Sequence, residues 1–234
     1  MQNRLKMPKN INSFTIKHKS CALILTVILS CLLFSCSENK PVIGQVFWQI
    51  NKFHDIEKQI YYDRLSLFID AQDEDGLEDL KTLYLINDRE EVFWKITDKT
   101  WIQKTNNDES WFGSNTIAMH DFSFFPAGRY RIILLDDAGE REETEIILPA
   151  YEKGFSDEAF PSAVIRDNTL FPSVNSEAVW FYSTEMVLLN ETAVNEKARR
   201  EITIPEKAKY IFIYRYDRIN GYGLVAGPYI KSRL

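Results

Sequence analysis

Two hydrophobic patterns divide this chain. Residues 21–34 form a nearly unbroken apolar run, whereas from Gly44 onward apolar and polar positions alternate through short segments rich in β-branched and aromatic residues. Period-two alternation sends successive side chains to opposite faces of a strand. It predicts strands over residues 44–50, 64–70, 80–86, 92–96, 100–104, 115–121, 130–135 and 142–148. Asp75-Gly76, Asn87-Asp88, Asn106-Asn107 and the segments 126–128 and 136–139 punctuate them, with residue types that tight turns favour. Strands at this spacing, joined by short turns, predict an antiparallel sandwich over residues 44–149 and an all-β fold class.

Strand patterns resume after Pro149 at residues 163–166, 178–183, 186–189, 200–204, 210–216 and 222–225, and Asn220-Gly221 is a hairpin signal. Residues 150–234 therefore form a second small β-rich unit or extra strands on the first sheet, the former being favoured. The best helix candidate is residues 190–201, with Asn190 as its cap, so the fold carries at most one short helix.

The apolar run changes meaning once charge is added. Arg4, Lys6, Lys9, Lys17 and Lys19 precede it, and the first 35 residues hold no Asp or Glu. A basic segment followed by an apolar core of this length reads as a secretory signal peptide, and the core is shorter than the roughly 20 apolar residues that span a bilayer. Met7 is an alternative start that keeps three of the positives. Residues 1–35 are thus set apart from the fold, and residues 36–43 form a short linker ahead of it.

The segment Leu33-Phe34-Ser35-Cys36 resembles the bacterial lipobox. The resemblance implies diacylglycerol transfer to the Cys36 thiol, cleavage before Cys36, and a bacterial envelope protein held to a membrane by lipid. Ser37, standing where an Asp would signal the inner membrane, implies the outer one. Cys21 and Cys31 leave with such a leader, so the exported part keeps no thiol for a disulfide, a thiolate metal site or a cysteine nucleophile. Removing the five leader positives shifts the formal charge from -6 to -11. That balance argues against nucleic acid, which needs clustered Lys and Arg, and leaves the membrane hold to the lipid.

Residues 64–148 resemble the immunoglobulin-like and fibronectin type III sandwiches. The matching pieces are the strand at 65–70, the acidic turn at 73–76 and the strand at 80–85, then 126–132 and the closing hairpin around 136–139 and 144–148. Tyr130, two residues before Ile132, implies a tyrosine corner. Both cysteines and the strand-C tryptophan of antibody domains are missing, with Tyr84 nearest the latter.

Few residues carry candidate chemistry. Asp70, Asp73, Asp75 and Asp79 crowd one turn and are a calcium candidate by ligand type. A loop aligned on Gly76 fails the EF-hand pattern at both ends, and a solvated turn is the favoured reading. His54 and His120 each adjoin an Asp but read as surface or capping residues. Trp101, Trp111 and Phe112 flank the polar stretch 104–110 and are the candidate ligand contacts, with Trp180 a further exposed-indole candidate. No phosphate loop, nucleophile elbow, metalloprotease helix or hydride-cofactor fingerprint is present.

The sequence thus points to a non-catalytic, lipid-anchored interaction or structural module without a cofactor, whose partner is another envelope protein or a glycan. A surface glycan binder or adhesin is the first alternative, and a hydrolase with a dispersed acidic site the second.

Overall fold

A computed structural model describes residues 39–106, 109–151, 157–194 and 201–231. The expected signal peptide, Cys36 and residues 37–38 of the 36–43 linker lie outside the described residues, and the end of that linker, Val42 and Ile43, already belongs to the first strand. The strands, in chain order, are β1 (Val42–Asp55), β2 (Ile60–Gln72), β3 (Leu80–Asn87), β4 (Val92–Thr97), β5 (Ile102–Asn106), β6 (Glu109–Ala118), β7 (Gly128–Asp136) and β8 (Arg141–Leu148). They continue as β9 (Ala163–Arg166), β10 (Thr169–Pro172), β11 (Ala178–Tyr182), β12 (Leu188–Ala193), β13 (Ile202–Thr203), β14 (Tyr210–Asp217) and β15 (Tyr222–Ile230). Two short 3-10 turns are the only helical elements among the described residues, and no helix there is long and apolar enough to cross a membrane.

The fold is all-β. Strands β1-β2-β6-β5 lie in one sheet and β4-β3-β7-β8 in another. In chain order these are the ABED and C′CFG layers of an immunoglobulin-type sandwich. The Tyr130 hydroxyl donates to the Pro126 carbonyl at 2.8 Å, the contact that defines a tyrosine corner. The first sheet extends past β1: β15 pairs with it in parallel, and β14, β11 and β12 follow antiparallel, giving the order β12-β11-β14-β15-β1-β2-β6-β5. The remaining strands, β13-β10-β9, form a separate three-stranded sheet.

Alternation decides what each face covers. Ile50 of β1, Leu65, Leu67 and Ile69 of β2 and Leu224 of β15 pack with Leu83, Leu85, Ile132 and Leu134 of the four-stranded sheet. Further along the same face, Val179, Phe181, Ile211 and Ile213 pack with Leu170 and Ile202 of the three-stranded sheet. Each buried aliphatic side chain contributes roughly 1.5–3 kcal/mol of burial free energy, so this covered face holds the fold together. Gly113 permits the close seating of β6 on β2, because a Cβ there would stand 1.9 Å from the Leu67 carbonyl oxygen.

Three expectations change. The proposed helix at 190–201 is not formed at its start: residues 190–193 belong to β12, which extends the apolar run before it and pairs with β11. Its later residues 195–200 lie outside the described residues. The strand expected at 115–121 runs earlier, as β6, because the polar stretch after Lys104 is a hairpin in which Thr105 faces Ser110. Finally, β10 was not anticipated, being four residues long and ending in Pro172.

Candidate functional site

The face of the eight-stranded sheet opposite the two smaller sheets carries a groove of about 870 Å³. Its floor follows from the other half of the same alternation. In β1 the outward residues are Phe47, Gln49, Asn51 and Phe53, and their partners across β2 are Phe68, Ser66, Arg64 and Tyr62. Two polar rungs thus sit between two aromatic rungs, successive rungs being roughly 7 Å apart along the strands.

The polar rungs are already ordered. Gln49 Nε2 donates to Asn51 Oδ1 at 2.7 Å and to the Tyr214 hydroxyl at 3.2 Å, and Asn51 Nδ2 donates to Ser66 Oγ at 3.2 Å. Gly223 of β15 lies directly under them. A Cβ there would meet Asn51 Oδ1 at 2.1 Å and the Tyr214 ring at 2.7 Å, so the missing side chain is what lets amide and ring close over the floor.

One wall comes from β11 and β14. Trp180 stacks on Tyr214 with centroids 5.2 Å apart and planes 27° apart, and Tyr182 meets Phe212 edge-on at 5.6 Å. Burial pushes the Tyr182 and Tyr214 hydroxyls above the ordinary tyrosine range, so both are neutral at physiological pH. At the lower aromatic rung, Phe53 stacks on Tyr62 at 5.2 Å. The Arg64 guanidinium lies over both rings, 4.5 and 5.4 Å from their centroids. Among the described lining residues the only charged side chains are Arg64 and Glu191, the latter exposed on β12.

The covered face of the same ribbon has different chemistry. Lys52 and Asp63 are cross-strand partners, each 2% exposed, with Nζ 3.2 Å from Oδ1. The ammonium sits 5.0–5.2 Å from the ring centroids of Tyr151, Phe124 and Tyr222, and Asp63 Oδ2 accepts the Phe125 amide at 3.1 Å. Burial is the dominant influence on both. It pushes the amine below the ordinary lysine range and the carboxyl above the ordinary carboxylate range, and their mutual attraction opposes each shift.

The residues singled out in the sequence are dispersed. Phe112 is 1% exposed in the core and Trp101 packs edge-on against it at 5.1 Å, so this pair is structural and not a loop-tip contact. Trp111 points from the other side of β6, donates to Glu109 at 3.1 Å, and does not line the groove. Of the tryptophans named as candidates, Trp180 alone lines it. His54 is buried against Tyr61, with ring centroids 4.6 Å apart, contrary to the surface or capping role expected of it, while His120 is exposed. The Tyr61 hydroxyl donates to Asp157, whose acceptance pushes its pKa up to about 12.

In the acidic turn, Asp70 is buried and accepts the Ser110 amide at 3.1 Å, and Asp73 accepts the Asp75 amide at 2.9 Å. Among the described residues, no group of three or more His, Cys, Asp or Glu side chains, these and Asp79 included, is placed to hold a metal ion. The groove residues of β1 and β2 were missed in the sequence, although their aromatic–polar–polar–aromatic order is visible in both strands once the inward set is known.

No family model and no curated protein sequence matches the chain. Among solved structures, Tp47, the 47-kilodalton lipoprotein of Treponema pallidum, matches at 12% identity over 83% of this chain and 52% of its own, with a TM-score of 0.32. SGBP-B of the Bacteroides ovatus mixed-linkage glucan utilization locus, solved with a mixed-linkage heptasaccharide, matches at 11% identity over 82% and 64%, with a TM-score of 0.22. The chain spans about half the length of the first and under two thirds of the second.

Proposed function

We propose that this is a non-catalytic, lipid-anchored protein of the bacterial cell envelope that holds another envelope component in the groove on the open face of its eight-stranded sheet. The observation that carries the reading is the ordered floor of Gln49, Asn51 and Ser66 between aromatic walls, on a face that none of the described sheets covers. Burying aromatic area beside fixed hydrogen-bonding groups is how concave sites gain both affinity and orientation. A single carboxylate, Glu191, lines the groove among the described residues, whereas acid–base glycoside hydrolysis uses a facing pair. That supports a binding role over a hydrolytic one.

Anchoring at Cys36 is tested by labelling cells with an alkynyl fatty acid. The wild type takes label and Cys36→Ala does not; equal label on both would refute the anchor. The groove is tested by placing a photo-crosslinking phenylalanine analogue at Phe47, 48% exposed at the groove, or at Phe93, 67% exposed on β4. Adducts form in cells from position 47 and not from 93. Equal adducts from both positions, or none from 47, would overturn the reading.

A further inference from the structure

We infer that the groove takes an uncharged carbohydrate chain; this rests on the groove being the binding surface proposed above. The backbone under the groove belongs to interior strands whose amides and carbonyls are committed to the ladders β14–β15–β1–β2. A peptide that binds by adding a strand needs a free edge; the floor strands β1 and β2 offer none, and the edge strands β12 and β5 meet the groove only through Leu188, Glu191 and Ile102. Apart from the charged Arg64 and Glu191, the polar side chains lining the groove are the amides of Gln49, Asn51 and Asn115 and the hydroxyls of Ser66, Thr116, Tyr182 and Tyr214. These groups both donate and accept, which matches a ligand whose polar groups are themselves hydroxyls.

Charge narrows the class further. The one cation lining the described groove, Arg64, has its guanidinium drawn over Phe53 and Tyr62, and the chain's net charge is -6. Nothing there is arranged to neutralise a polyanion. The Trp180–Tyr214 stack on one side and Phe47 with Phe68 on the other give flat apolar faces on which the C–H face of a sugar ring can lie. Hydrogen-bonding side chains flanked by aromatic planes in one trough match a ligand that offers apolar ring faces and hydroxyl edges together.

The test is native gel electrophoresis of the full-length protein in detergent, in gels containing a soluble β-glucan, α-glucan, mannan or xylan, with polygalacturonate as the anionic control. At least one neutral polymer is expected to retard the wild type. Trp180→Ala and Asn51→Ala should each weaken that retardation about tenfold, the loss of one stacking or hydrogen-bonding contact of roughly 1.4 kcal/mol. Phe93→Ala should retain it. Matching melting curves for the variants and wild type exclude unfolding as the cause.

Retardation by polygalacturonate alone, by no neutral polymer, or by neutral polymers with undiminished strength in both groove variants would overturn the inference. The Phe47 crosslink separates the two failures. An adduct there that proves to be polypeptide keeps the groove and removes the carbohydrate, whereas no adduct removes both.

Discussion

The two faces of the β1–β2 ribbon share one backbone and one register, yet they do opposite work. Inward, Lys52 and Asp63 are sealed at 2% exposure inside a ring of aromatics, and their neighbours Ile50 and Leu65 are core. Outward, the adjacent positions Asn51 and Arg64 stand between Phe53–Tyr62 and Gln49–Ser66 beside an open groove. Polar groups on the covered face must be paired because water is excluded. Polar groups on the open face are held by one another but remain within reach of a ligand. Most of the buried core therefore lies on one side of the sheet, and the other carries a smaller buried cluster of Phe53, Tyr62, Phe212 and Val225 beside the groove proposed for recognition.

The sharpest way to break this division is to unpair the covered charge. Lys52→Met leaves Asp63 buried without its partner, and urea unfolding should show about 3–5 kcal/mol of lost stability, most of it recovered in the Lys52→Met, Asp63→Leu double variant. Next in size is Gly113→Ala, which forces β6 away from the Leu67 carbonyl and should cost about 1–3 kcal/mol by the same measurement.

The alternation that built these faces was legible from the start. The strands around Leu65, Leu83 and Ile132 follow from period-two patterning and turn residues, because the covered face is mainly apolar there, and the corner at Tyr130 was implied by the resemblance to immunoglobulin-type sandwiches. The groove was not legible, since β1 is aromatic or aliphatic on both sides: Val46, Trp48 and Ile50 inward, Phe47 and Phe53 outward. Without knowing which side meets the second sheet, the outward aromatics read as more core. Nor does local pattern reveal that β15 returns beside β1, a pairing between residues 51–55 and 223–227 that brings Gly223 and Tyr214 to the groove. Phe112 and Trp101 misled for the mirror reason: they flank a polar hairpin in sequence but fold onto the covered face.

Titration distinguishes the covered ribbon from the exposed surface. Burial raises Asp63 above its ordinary 3.8, so the folded chain holds that proton to higher pH than the unfolded chain, and its contribution to stability grows as pH falls through the raised value toward 3.8. Asp88, hydrogen-bonded by Arg131 on the surface, is lowered, so its contribution is present above 3.8 and fades as pH falls through its lowered value. Carboxyl NMR should place the Asp63 midpoint above 3.8 and the Asp88 midpoint below it; the reverse order would deny that the Lys52–Asp63 site is sealed. The smallest stability effect belongs to the open face. Phe47→Ser should move the unfolding free energy by no more than about 0.5 kcal/mol, while lowering ligand capture.

The most direct test of the open face as the working surface is hydroxyl-radical footprinting of the protein in intact cells and after purification. Phe47 and Met186, both about half exposed at the groove, should be protected in cells relative to the purified protein, while Phe93 on β4 reacts equally in both. Equal reactivity of Phe47 and Met186 in cells and in isolation would contradict a groove that holds an envelope component.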